Sequence, residues 1–137
     1  MPDAHAMTTA VILFGHGARE PAWAEPLRRV QAAIRDEAPA LWVELAFLEF
    51  LAPTLADCVG ALVEKGARHI VVLPMFIAQG GHLKRDLPGL MAQLRAAHPG
   101  VAFELAPAIG ESEAVIRAMA AVAVEAAASD LAGSPAP

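Results

Sequence analysis

The chain has 137 residues, enough for one domain with a single substantial core. A net charge of −5, no basic block and no tyrosine argue against a nucleic-acid-binding protein. The single cysteine rules out an internal disulfide, and no apolar run reaches the ~20 residues that a membrane helix needs.

Residues 1–9 read as a flexible lead. They lack a basic segment followed by an apolar one, so they are not a secretory signal, and Met7 is an alternative start to Met1. The domain proper is expected over 10–129. Ala10 to Phe14 is a continuous apolar run that stops at Gly15, the mark of a buried strand. Pro21 to Ala38 is predicted helical, with Pro21 in the first turn and Trp23, Leu27, Val30 and Ile34 at helical spacing. Leu41 to Phe47 is the second strand. Pro53 opens a second helix through Leu55, Val59, Leu62 and Val63, which Gly66 closes. Ile70 to Leu73 is the third strand, ended by Pro74. The third helix spans Leu83 to Ala97, with its regular part predicted from Asp86 and Pro88 in its first turn. Val101 to Leu105 is the fourth strand, and Glu111 to Ser129 the last helix. Residues 130–137 read as a flexible tail. Cys58 falls within the second helix, where it reads as a small buried hydrophobe. A lone thiol of this kind fits a reducing cytoplasm.

Four alternating strand–helix units predict an α/β domain with a parallel sheet and helices on both faces. The first and third strands are apolar throughout, as strands covered on both sides must be. The second and fourth each carry a mid-strand acid, Glu44 and Glu104, and a charge is easiest to solvate on an edge. Right-handed crossovers then give the strand order 2-1-3-4. The winding direction reverses between strands one and three, and ligands of such sheets bind at that point, beyond the carboxyl ends of the strands.

Three residues that can bind a metal or move a proton lie where strands end. His16, Glu49 and His82 follow one another at equal steps of 33 residues, close to the length of one strand-plus-helix unit. The spacing therefore predicts two imidazoles and a carboxylate on one rim. His16 lies in Gly15-His16-Gly17-Ala18-Arg19, and His82 in Gln79-Gly80-Gly81-His82-Leu83-Lys84-Arg85-Asp86. Glycines there allow sharp turns and close approach of a ligand, and a glycine turn opening a helix offers N–H groups to anions. Two histidines and a carboxylate suit a divalent first-row metal such as iron, cobalt or nickel in an open site, whereas a thiolate cage is impossible with one cysteine. His5, His69 and His98 lie away from that rim.

The segments LFGHGARE, FLEFLAPTL and LPMFIAQGGHLKRDLP resemble the class II tetrapyrrole chelatases, in particular the short single-domain sirohydrochlorin chelatases of the CbiX/SirB type. The likeness runs from about Ala10 to Leu105. It implies a chelatase-like half-domain that inserts Co²⁺ or Fe²⁺ into sirohydrochlorin without ATP or an organic cofactor, in sirohaem or cobalamin biosynthesis; Ni²⁺ fits the same ligands. It implies that His16 and His82 bind the incoming metal and assist its insertion, with Glu49 as the matching acid. Many relatives have Ser at the position of Ala18, so a hydroxyl there is absent. Longer relatives carry two such domains, so a single one implies a homodimer that rebuilds a two-lobed cleft, in keeping with a hydrophobic content of 56%. Arg19, Lys84, Arg85 and the backbone of Gly80 and Gly81 are placed to hold the macrocycle's carboxylates, with Met75 and Phe76 toward its ring.

Two other readings compete. A histidine phosphatase would need an arginine before the nucleophilic histidine, and that position is Gly15. A dimeric cobalt or nickel carrier that performs no chemistry would use the same ligands as a chelatase.

Overall fold

Short apolar runs ending at glycine or proline pair here as parallel strands, and the helices between them bury their apolar stripes on the sheet. The computed structural model describes residues 8–133; the side chains of residue 82 and of residues 129–133, the lead through residue 7 and the tail from 134 lie outside the described residues. The alternative start at Met7 and most of the expected tail therefore also fall outside them.

The strands are β1 (Thr9–Gly15), β2 (Trp42–Phe47), β3 (His69–Pro74) and β4 (Ala102–Leu105), in the order β2-β1-β3-β4 and all parallel. This is the expected order. The two strands with mid-strand acids are the edges, where Glu44 lies 3.6 Å from Arg35 and Glu104 3.7 Å from His69. In β1, Ile12, Leu13 and Phe14 are buried on alternating faces, and Ile12 stands in register with Glu44 on one side and Val72 on the other.

The helices are α1 (Glu25–Glu37), α2 (Leu55–Lys65), α3 (Gly81–Ala97) and α4 (Glu113–Gly133). α2 and α3 cover one face: Leu55, Val59 and Leu62 of α2 and Leu83, Leu87, Met91 and Leu94 of α3 cluster with Ala10, Ile12, Phe14, Ile70 and Val72. Each large side chain so buried contributes roughly 1.5–3 kcal/mol. α1 lies on the other face. Thr54 caps α2 by accepting the Asp57 N–H, and Gly66 ends it with φ +115, a left-handed conformation that glycine adopts without steric cost. Cys58 is buried as expected; burial, with the charge of Glu44 adding to it, pushes its thiol up to about 12.

Several boundaries differ from expectation, among them the start of β1 at Thr9, the last residue of the expected lead. The first helix opens as a 3-10 turn (Pro21–Ala24) and becomes α-helical at Glu25, because Pro26 also belongs in a first turn, where its missing N–H costs nothing. α3 starts at Gly81, two residues before the expected Leu83 and five before Asp86, and carries Pro88 inside it; the Lys84 N–H already bonds the Gly80 carbonyl at 3.0 Å. The last helix follows a 3-10 turn at Ile109–Glu111 and runs on to Gly133, so the first residues of the expected tail are helical. α4 packs mainly against that turn and leaves Ile116, Met119, Val122 and Val124 in solvent.

Candidate active site

The β1–β2 hydrogen-bond ladder does not stop where the strands do. Beyond Gly15 and Phe47 the Leu48 N–H bonds the Gly15 carbonyl at 2.9 Å, and the Glu49 N–H bonds the His16 carbonyl at 3.1 Å. This zips the loop after β1 to the loop after β2 and sets the backbones of His16 and Glu49 side by side. Gly17 makes the approach possible: its φ is +94, and a Cβ on it would run into the Glu49 carbonyl. The glycine read from the sequence as permitting close approach is thus used by the chain itself.

On the other side, the Met75 N–H bonds the Phe14 carbonyl at 2.8 Å and extends the β1–β3 ladder. Phe76 follows, and the His16 ring meets its ring edge-on at 5.6 Å between centroids. The Phe76 carbonyl accepts from the Gly110 N–H at 2.9 Å, and a Cβ on Gly110 would strike the Ile77 carbonyl. The loop from β3 to α3 is therefore pinned to the turn before α4.

Between these loops lies a cleft of about 370 Å³ lined by His16, Leu48, Phe76, Ala78, Gly80, Gly81, Leu83 and Asp86. It opens at the carboxyl ends of β1 and β3, where the topology places it. Its walls are mostly apolar, with one imidazole and one carboxylate, and its size is at the low end for a small-molecule site. It would hold one edge of a large planar ligand.

The predicted residues distribute unevenly around it. His16 is on the wall. Gly80 caps α3 and Gly81 begins it, so the backbone of His82 is in the first turn across the cleft; its side chain lies outside the described residues. Glu49 is joined to His16 by backbone, but its exposed side chain is not part of the cleft lining. Among the described residues no three His, Cys, Asp or Glu side chains stand close enough to hold a metal. Arg19 lays its guanidinium over the Phe50 ring, 4.9 Å from the centroid. Arg85 folds back to donate to the Gly81 carbonyl at 3.2 Å, and Lys84 is exposed at the start of the same helix. His69 and His98 lie elsewhere, beside Glu104 and against Phe103.

Sequence reasoning missed Asp86 as a cleft residue. The expected helix spans Leu83 to Ala97 with its regular part from Asp86; with α3 beginning at Gly81, Asp86 falls one turn after His82 in the same helix.

Comparison with known proteins adds to this geometry. The CbiX family model matches residues 10–126. A sirohydrochlorin cobaltochelatase of Methanocaldococcus jannaschii is 35% identical over 89 residues, covering 65% of this chain and 62% of that protein. One from Saccharolobus islandicus is 40% identical over 81 residues, covering 59% and 62%. The match thus spans about three fifths of the length of these curated relatives. Among solved structures, the CbiX protein of Marinobacter aquaeolei superposes with a TM-score of 0.75 at 28% identity, over 85% of this chain and 95% of that one. The sirohydrochlorin chelatase SirB of Bacillus subtilis subspecies spizizenii, in complex with cobalt, gives 0.72 at 27%, over 87% of this chain and 51% of that one.

Proposed function

The chain belongs to the CbiX family, and we propose that it is a sirohydrochlorin metal chelatase, inserting Co²⁺ or Fe²⁺ into the macrocycle without ATP, for cobalamin or sirohaem synthesis. The observation that carries this is the pair of Gly-His turns facing one cleft: His16 on its wall after β1, and the first turn of α3, with His82 in it, after β3. The relatives named sirohydrochlorin cobaltochelatase support the same reading.

The reaction exchanges one M²⁺ for the two pyrrole N–H protons of the macrocycle. A neutral imidazole both ligates a divalent metal and accepts a proton, and in this reading His16 and His82 do both. A mixed nitrogen and oxygen site releases a metal readily, unlike a thiolate cage. Glu49 neutralises the arriving cation or takes up a proton at the rim. The carboxylates of the macrocycle go to Arg19, Lys84, Arg85 and the backbone N–H groups of Gly80 and Gly81, at the positive end of α3. The lone buried Cys58 fits a cytoplasmic location, and no described helix is long and apolar enough to cross a membrane.

The working unit in this proposal is a homodimer. A cleft of about 370 Å³ takes only one edge of a macrocycle, and a second copy supplies the opposing lobe. The apolar side chains that α4 leaves in solvent, Val122 at 66% and Val124 at 69% exposure, favour such a partner.

Purified protein mixed with sirohydrochlorin and Co²⁺, Fe²⁺ or Ni²⁺ in parallel tests the proposal through the absorbance change of metallation. A chelatase accelerates it over free metal. A carrier of cobalt or nickel binds the metal and leaves the rate unchanged, and that result would replace the proposal.

A further inference from the structure

The residue after Glu49 is in an unusual state. Phe50 has φ +68, the one non-glycine residue at positive φ among the described residues. The Leu51 N–H reaches back to the Glu49 carbonyl at 2.8 Å, closing a three-residue turn centred on Phe50. A turn of this hand is rare and strained, and costs a residue with a Cβ roughly 1–2 kcal/mol. Glycine or asparagine would occupy the same backbone more cheaply.

The strain obtains no burial in return. Phe50 as a residue is 56% exposed, and the turn leaves a large apolar ring largely in water. The guanidinium of Arg19 covers one of its faces at 4.9 Å. Leu48, two residues earlier in the same loop, lines the cleft, so Phe50 belongs to a loop that forms one of its walls. On the opposing loop Ile77 is 74% exposed between Phe76 and Ala78, both of which line the cleft. Leu48 is itself 38% exposed, so both loops that wall the cleft carry apolar side chains into solvent. Strained backbone clusters at active sites and ligand clamps.

We propose that Phe50 is the aromatic platform on which the planar face of the macrocycle stacks, with Ile77 on the opposite lip, and that Arg19 and Phe50 act as one preassembled unit. The inference rests on the chelatase reading and adds to it the residue that selects a flat tetrapyrrole. A macrocycle of this class offers a π face and a rim of carboxylates. Phe50 matches the face and Arg19 the rim. Before binding, the guanidinium keeps the ring from exposing bare apolar surface. On binding it pairs with a carboxylate, and the ring receives the macrocycle. A stacked aromatic pair of this kind is worth about a tenfold change in affinity.

The test uses full-length protein and metal-free sirohydrochlorin, titrated by its absorbance and fluorescence, followed by steady-state metallation with Co²⁺. Phe50→Asn keeps a residue that tolerates the left-handed backbone and removes the ring; Phe50→Trp keeps an aromatic. Phe50→Asn is expected to fold, with Tm within about 4 °C of wild type, to bind sirohydrochlorin about tenfold more weakly, and to raise KM more than it lowers kcat. Phe50→Trp should restore binding to within about threefold of wild type. In a double-mutant cycle with Arg19→Ala the two losses should be non-additive, since the pair binds as a unit. Wild-type affinity in Phe50→Asn overturns the inference and leaves the chelatase reading standing. A lowered Tm with unchanged affinity does the same and makes Phe50 a structural residue. Failure of the wild-type chain to bind or metallate sirohydrochlorin overturns both.

Discussion

Replacing Gly17 with alanine attacks the joint that holds the two loops of the site together. At φ +94 a residue with a Cβ loses roughly 1–2 kcal/mol in the folded state. The new methyl also runs into the Glu49 carbonyl, a backbone atom that can give way only if the loop after β2 moves. That movement breaks the hydrogen bond from the Glu49 N–H to the His16 carbonyl, now 3.1 Å, for about 1 kcal/mol more. Together these give about 2–3 kcal/mol, or ~8–12 °C in Tm at ~4 °C per kcal/mol for a domain of this size. Activity should fall further than stability. At 20 °C the variant is still folded, but His16 and Glu49 are displaced relative to each other, and a shift of about 1 Å in a site costs up to roughly a hundredfold. Gly60→Ala is the matched control: it lies inside α2, a Cβ there meets nothing, and alanine should stabilise the helix by about 0.5–1 kcal/mol. Tm by circular dichroism and cobalt metallation of sirohydrochlorin at 20 °C read both effects. Gly17→Ala with Tm within 2 °C of wild type and an unchanged rate, under the ~8–12 °C worked above, would refute the argument that the extended ladder builds the site.

Removing either imidazole, as His16→Ala or His82→Ala, should slow metallation at least roughly a hundredfold with the fold intact. Glu49→Gln should lower turnover more than metal binding, while His69→Ala and His98→Ala leave the rate almost unchanged; a double His16, His82 variant inserting cobalt at the wild-type rate sinks the assignment. Cys58 should resist alkylation at pH 8 until the protein unfolds, because its raised pKa keeps the thiol protonated. The folded state therefore holds a proton that the unfolded chain loses above pH 9, and stability should fall by about 1.4 kcal/mol per pH unit between 9 and 12, a slope that Cys58→Ala should flatten. Sedimentation at micromolar concentration should show a dimer of the 14.3 kDa chain, and only monomer would leave the macrocycle with one wall.

The sheet was legible because its determinants are local. Glu44 and Glu104 mark edges by the cost of dehydrating a charge, and that cost does not depend on the rest of the chain. The start of α3 was harder to read. Pro88 is an ordinary first-turn marker, yet it sits in the second turn of a helix whose capping residue, Gly80, offers no side-chain cap. The helix begins where the loop leaves the rim, and nothing within the helix announces it. Missing that start also hid Asp86, which belongs to the cleft only when counted from His82. α4 was legible as a helix from its composition, but its alanine-rich sequence has no distinct apolar stripe to say where it packs. Its path follows instead from the Gly110–Phe76 hydrogen bond, which joins loops far apart in sequence.

The equal spacing of His16, Glu49 and His82 carries a more general point about such sites. A period of one strand-plus-helix unit fixes where backbones arrive: parallel strands end on one rim, and all three residues do lie beyond strand ends there. It does not fix where side chains go after the strand ends, because pleat alternation stops with the ladder. From that point direction is set by single, non-repeating dihedrals. Gly17 at φ +94 turns the chain where His16 lines the cleft and the Glu49 backbone closes against it, and Phe50 at φ +68 holds the next ring in solvent. The Gly17 torsion goes with a contact between two loops and the Phe50 torsion with a turn inside one, neither of which a period encodes, so the rim is legible in the sequence while the walls of the cleft follow only from the folded loops.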